Sequence, residues 1–204
     1  MNPLCGKFIV LDGPEGSGKS TQSQLLRAAL EAAGLDVLAV RDPGTTRVGE
    51  QIRGILLNPD HTEMGMRCEM LLYMAARAQM MVELIHPALQ AGKVVVGDRF
   101  VSSTLAYQLG GDGMTADDIR AVGQIATGGR WPDLTIILDI PADKSMARVK
   151  RAKDRIEQRP MDYHAQVLKN YLSQAQGQPN YRVISADRDQ AVVHREIMEI
   201  VASI

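Results

Sequence analysis

Gly13-Pro14-Glu15-Gly16-Ser17-Gly18-Lys19-Ser20 fits the phosphate-binding pattern GxxxxGK[ST]. The run Lys7-Phe8-Ile9-Val10-Leu11-Asp12 before it reads as a short apolar strand. Thr21-Gln22-Ser23-Gln24-Leu25-Leu26-Arg27-Ala28-Ala29-Leu30 after it reads as an amphipathic helix. Strand, glycine-rich loop and helix in that order are the context the pattern requires. Glycine lets the backbone turn its N–H groups inward around phosphate oxygens, and the helix N-terminus adds positive potential. Within such a loop Lys19 reaches the β- and γ-phosphates of a nucleoside triphosphate and Ser20 holds Mg²⁺. Gly13, Pro14, Glu15, Gly16, Ser17, Gly18, Lys19, Ser20 and Thr21 are the candidate triphosphate-binding residues.

Outward from the loop, apolar runs alternate with helix-length segments, which is the signature of a parallel sheet with crossover helices. Strands are predicted at Phe8–Leu11, Val37–Val40, Val94–Gly97, Leu134–Ile140 and Tyr181–Ser185. Val94-Val95-Val96 and Thr135-Ile136-Ile137-Leu138 are nearly all apolar, which implies burial on both faces. Helices are predicted over 19–33, 47–57, 64–91, 102–108, 115–127, 142–151, 160–174 and 188–202. The stretch 64–91 reads as one long helix that ends or kinks near His86-Pro87. With no repeat, low-complexity tract or linker in 204 residues, one α/β domain over 1–204 is the economical division.

Composition narrows the function classes. A net charge of −1 gives no global electrostatic case for nucleic acid or a membrane surface. The two cysteines, Cys5 and Cys68, make neither a disulfide framework nor a metal pattern, which suits the reducing cytoplasm. No apolar stretch approaches a membrane span, and the N-terminus lacks the apolar core of a signal peptide. Eleven methionines against few aromatics point to a core filled by flexible side chains.

In open parallel sheets ligands sit beyond the carboxyl ends of the strands, and four informative segments follow predicted strands. Arg41-Asp42-Pro43-Gly44-Thr45-Thr46 follows the second and Asp98-Arg99-Phe100 the third. An Arg at the end of a central strand can bridge donor and acceptor phosphates, with Asp98 touching Mg²⁺ or orienting that Arg. A lone Asp-Arg pair also serves as a structural ion pair. Arg148-Val149-Lys150-Arg151-Ala152-Lys153-Asp154-Arg155 packs five cations into eight positions. A solvated helix face is the ordinary reading of such a run. Beside a triphosphate loop, a basic lid over about 148–159 that closes on the transferring phosphoryl group fits better, with Arg151, Lys153 and Arg155 neutralising its charge. Ser185-Ala186-Asp187 follows the last strand. In Glu69-Met70-Leu71-Leu72-Tyr73-Met74-Ala75-Ala76-Arg77-Ala78-Gln79 the spacing puts Tyr73 and Arg77 on one helix face, where ring and guanidinium could read a base. By spacing alone, a Tyr at a core edge beside an exposed Arg is the plainer reading.

Taken together these segments resemble the bacterial thymidylate kinases. The resemblance rests on Gly13–Ser20, Arg41-Asp42-Pro43-Gly44, Glu69–Gln79, Asp98–Gln108, Arg130–Asp139 and Asp154-Arg155-Ile156-Glu157, in order over nearly the whole chain. It implies the P-loop nucleoside monophosphate kinase fold, a five-stranded parallel sheet between helices, and a homodimer. It implies that Tyr73 stacks on thymine and that Arg77 contacts the base edge. Ser103 and Gln108 take polar positions near the base, Tyr107 lies under the sugar and disfavours a 2′-OH, and Glu15 accepts the 3′-OH. Arg99, with Arg41 and Arg53, surrounds the dTMP phosphate. Arg148 lies over adenine, with Ala186 and Asp187 on its other side. The chain departs from the family in Asp42 for Glu, Thr45 for the second Gly, Phe100 for Tyr or His, Tyr73 for Phe, and Arg151 where Gly is common.

The reaction so implied is ATP + dTMP ⇌ ADP + dTDP with Mg²⁺ and ATP as phosphoryl donor. The acceptor is already an anionic oxygen, so alignment and charge neutralisation suffice. His61, His86, His164 and His194 are expected at the surface or at helix ends. The rivals are a kinase for another pyrimidine nucleotide or deoxynucleoside, a regulatory P-loop NTPase, and an inactive nucleotide-binding subunit. The absence of an NKxD-like motif speaks against the second, and intact Lys19, Ser20 and Arg99 against the third.

Overall fold

The computed structural model describes residues 2–150 and 152–204. Five strands, β1 (Phe8–Asp12), β2 (Val37–Arg41), β3 (Val94–Asp98), β4 (Leu134–Asp139) and β5 (Tyr181–Ser185), form one sheet in the order β2-β3-β1-β4-β5, every pair parallel. The sequence-derived strands match to within a residue at each end. Helices α1 (Lys19–Ala32), α2 (Arg47–Leu57), α3 (Met66–Met80), α4 (His86–Gln90), α5 (Val101–Gln108), α6 (Ala116–Thr127), α7 (Ala142–Ala147), α8 (Met161–Ala175) and α9 (Gln190–Val201) cover its two faces.

Alternation along the strands divides the core. Ile9, Leu11, Val94, Val96, Ile136 and Leu138 point to the side of Leu26 and Leu30 of α1 and Val193 and Ile197 of α9. Phe8, Val10 and Val95 point to the other, against Met70, Met74, Met80, Met81 and Ile85. Burial on both faces explains the near-continuous apolar strands. Five buried methionines, Met114 included, gather in this second cluster, where unbranched side chains fill the space between long helices and sheet.

Two helix expectations need correction. The 64–91 segment is helical through Pro87, but over Met81–Ile85 it widens into a π-turn before α4. Pro87 has no N–H to continue the α-ladder and its ring crowds the carbonyl of the turn before, which the wider turn relieves. The 142–151 helix stops at Ala147. Arg148 and Val149 close it with bonds from their N–H groups to the Ser145 and Met146 carbonyls, the tighter i to i−3 pattern with which helices end. His164 lies in the first turn of α8, at a helix end as expected, and is buried there.

Candidate active site

Gly13 and Gly16 are held at φ 142° and 69°, where L-residues are strained. A Cβ on Gly13 would stand 2.6 Å from the Leu138 carbonyl oxygen, so β4 itself requires glycine there. Helix α1 begins at Lys19 with no acidic residue in its own first turn, and a helix N-terminus favours an anion. Lys19 is buried, and its Nζ donates to the Pro14 carbonyl at 2.6 Å. Burial, reinforced by Arg99, lowers its pKa to about 8. Ser20 Oγ donates to Asp98 Oδ2 at 2.6 Å, joining the loop helix to the end of β3.

Arg99 leaves β3 at φ 71°, a left-handed conformation uncommon outside glycine. That turn sends its side chain back across the β1 loop. Nη1 donates to Gly13 O at 3.1 Å, Ser103 Oγ at 3.0 Å and Tyr171 OH at 3.2 Å, and Nη2 pairs with Glu15. The guanidinium lies 5.3 Å from the Tyr107 ring centre. Burial works against the Arg99 charge, but Glu15 and the groups around it more than offset that, holding its pKa well above the usual value. Asp12 at the end of β1 fixes this corner by accepting from Ser102, Ser103 and Tyr171 at 2.6 to 2.7 Å.

A cavity of about 590 Å³ opens beyond the carboxyl ends of β1, β2 and β3. Every residue assigned to the acceptor nucleotide from the resemblance lines it: Glu15, Arg41, Arg53, Tyr73, Arg77, Arg99, Ser103, Tyr107 and Gln108. So do Gly16, Gly18, Lys19, Ser20 and Thr21 of the loop, together with Asp98 and Arg148. Arg41 is half exposed and pairs with Glu50 at 2.8 Å, and Arg53 donates to Pro43 O at 3.0 Å. Burial holds the Tyr73 phenol protonated, with its pKa raised.

Arg77 differs from the spacing-based expectation of an exposed Arg, being 1% exposed. Its Nε pairs with Asp42 at 2.5 Å, Nη2 donates to Phe100 O and Thr104 Oγ1, and Nη1 meets Met74 Sδ at 2.9 Å. Phe100 packs edge-on against Phe8, 4.9 Å between ring centres, and under Arg77. Asp42, Thr104, Glu69 and Tyr171 therefore belong to the site's framework, although the sequence reading gave none of them a role there. Asp42, Glu69 and Thr104 lie inside the segments that carry the family resemblance, while Tyr171 carries no local signal.

The basic segment divides. Arg148 lines the cavity and binds Ala186 O at 3.3 Å and Asp187 at 3.7 Å, while Lys144 also pairs with Asp187. Ala186 and Asp187 thus meet Arg148, at one side of the cavity rather than in its lining. Arg155 departs from the expected set of lid cations: it is buried, its Nε donates to Leu56 O at 2.9 Å, and its Nη2 pairs with Glu69 at 2.5 Å. A buried carboxylate draws this guanidinium inward. Lys153 is exposed, and Arg151 lies outside the described residues.

Hard oxygen ligands at the Ser20–Asp98 edge suit Mg²⁺, which takes one or two protein oxygens and completes its shell with nucleotide oxygens and water. Among the described residues no cluster of three or more His, Cys, Asp or Glu offers an all-protein metal site, and no helix is long and apolar enough to cross a membrane.

The sequence profile of the thymidylate kinase family matches residues 11–197. The chain is 43% identical to a thymidylate kinase of Halothermothrix orenii, the alignment covering 94% of each protein. It is 46% identical to thymidylate kinases of Pelotomaculum thermopropionicum (95% of this chain, 92% of the relative) and Neisseria meningitidis serogroup B (95% of each). Phosphate loop, parallel sheet and full-length similarity agree, and the chain belongs to the thymidylate kinase family.

Proposed function

We propose that this enzyme transfers the γ-phosphoryl group of ATP to dTMP, giving dTDP and ADP. The observation that carries the proposal is one continuous cavity that runs from the loop residues Gly16, Gly18, Lys19, Ser20 and Thr21 to Tyr73, Arg77 and Gln108. A triphosphate on the loop and a monophosphate seated on the arginines then face each other across Arg99. Lys19 and Arg99 neutralise charge on the phosphoryl oxygens as it spreads, which is where such enzymes obtain most of their rate. Glu15, held by Arg99, accepts from the sugar, and the Tyr107 ring crowds a 2′-OH. Tyr73 offers its face to the base, with Arg77, Ser103 and Gln108 around the edge. Arg41 and Arg53 bind the acceptor phosphate, while Arg148, backed by Ala186 and Asp187, covers the adenine.

Ser20 and Asp98 would hold Mg²⁺, which supplies charge neutralisation on the donor phosphates. The segment 148–159 closes as a lid, with Arg151 and Lys153 brought to the phosphoryl group and Arg155 anchoring its stem. The chain, 1–204, works as one nucleoside monophosphate kinase domain in the cytoplasm, with no nucleic acid or membrane partner. A homodimer is supported by the exposed apolar side chains Val48 and Ile55 of α2, Leu71 of α3 and Val82 beyond it, on helices packed together. Steady-state ADP release over a panel of dTMP, dUMP, dCMP, UMP and CMP tests the activity. The highest kcat/KM is expected for dTMP, and a preference for any other acceptor would overturn the reading.

A further inference from the structure

Glu69 is fully buried in α3, beneath the acceptor end of the cavity. Its Oε1 accepts from Gln108 Nε2 at 2.7 Å. Its Oε2 accepts from Arg155 at 2.5 Å and Arg159 at 2.7 Å. With two guanidinium groups on one oxygen, the carboxylate acts as an acceptor at the other as well. The Gln108 side chain must then present its NH₂ to Glu69, because turning the amide over would set two acceptor oxygens against each other. Gln108 is 1% exposed and lines the cavity, and its Oε1 is buried with no hydrogen-bond partner among the described residues. An unpaired buried carbonyl costs free energy until a donor reaches it.

We propose that Glu69 is a positioning residue for base selection: by holding the Gln108 amide one way round, it commits the cavity to an acceptor base with a ring N–H donor. Thymine and uracil carry a hydrogen on N3, whereas cytosine has a lone pair there and meets the Gln108 oxygen as acceptor against acceptor. The other oxygen of the same carboxylate ties down Arg155 and Arg159, so the side chain that sets the base code also holds the stem of the basic segment. The inference rests on the dTMP kinase reading and supplies the cause of its choice among pyrimidines.

The test compares dTMP with dCMP. In wild-type enzyme, failure to phosphorylate dTMP would sink the activity assignment itself. Given that activity, Glu69→Gln frees the Gln108 amide to turn, because a neutral amide can donate as well as accept. The ratio of kcat/KM for dTMP over dCMP is expected to fall by about tenfold or more, mainly through KM and through a gain on dCMP. Glu69→Asp keeps the charge beside both arginines but withdraws the oxygen, and is expected to narrow the ratio in the same direction. It serves where the neutral variant does not fold. In a Gln108→Met background, Glu69→Asp is expected to leave the ratio unmoved. An unchanged ratio in folded Glu69 variants, with kcat lowered equally for both acceptors, would make Glu69 a structural tie and overturn the inference. So would a ratio that still shifts when Gln108 is Met.

Discussion

Ser20 and Asp98, 78 positions apart, meet through a 2.6 Å hydrogen bond from hydroxyl to carboxylate. The first turn of the loop helix is thereby latched to the end of β3, at the edge proposed for Mg²⁺. Asp98→Asn keeps the shape and removes the charge. We expect the Mg²⁺ concentration for half-maximal turnover to rise by about 10- to 100-fold, the scale seen when a metal site loses a supporting carboxylate. An unchanged Mg²⁺ titration would remove Asp98 from the metal edge.

Lys19 gives a pH signature. Its folded pKa of about 8 lies below the ordinary 10.5 because burial, helped by Arg99, disfavours the charged form. Between those two values the unfolded chain holds more protons on this lysine than the folded protein does, so its contribution to stability rises with pH across that window. Below about pH 8 both states are protonated and the burial penalty is felt in full. Melting temperatures of the ligand-free protein from pH 7 to 10 should show this rise relative to Lys19→Met. In turnover, kcat/KM for ATP should fall above about pH 8 while kcat holds to higher pH, because bound phosphate restores the charged form.

Arg77 and Asp42 are each about 1% exposed and 2.5 Å apart. Asp42→Ala leaves a guanidinium buried without its carboxylate, and we expect a loss of about 3–5 kcal/mol in urea unfolding. A loss under 1 kcal/mol would mean that Phe100 O and Thr104 hold Arg77 unaided.

Tyr73 lines the cavity. Tyr73→Ala should weaken dTMP by about 1–3 kcal/mol, the scale of one base stacked on one aromatic, with ATP affinity nearly unchanged. Tyr73→Phe should be mild. Isothermal titration with each nucleotide distinguishes this from a core role, which would weaken both ligands alike.

The basic segment should separate by position. Arg155→Met removes charged hydrogen bonds to Glu69 and Leu56 and should cost about 1.5–3 kcal/mol of stability. Lys153→Met, at an exposed site, should leave stability within about 0.5 kcal/mol. Combined with Arg151→Met it should lower kcat with little change in either KM, the pattern of a contact made mainly in the transition state. A double variant with full kcat would reduce the exposed part of the run to a solvated surface.

The sequence by itself determined the ligand class and the five strands. The phosphate loop needs only consecutive residues, since glycine dihedrals and an adjoining helix N-terminus make the cradle without distant partners. The strands were legible because burial on both faces forces a continuous apolar run. The residues assigned to the acceptor came from motif resemblance, and the fold brings them into one cavity. Only tertiary structure decided what each charged side chain does there. The spacing of Tyr73 and Arg77 puts both on one face, but only the packing of α3 against α5 and the turn after β2 buries Arg77 on Asp42 and Phe100. Five cations in eight residues looked alike until the buried carboxylate of Glu69, 86 positions from Arg155, drew that one inward. Arg99 likewise takes its direction from Gly13, Glu15, Ser103 and Tyr171. Backbone conformation and burial periodicity are set by neighbours in the chain. The partner of a buried charge is set by which elements the strand order packs together, and local sequence does not encode that.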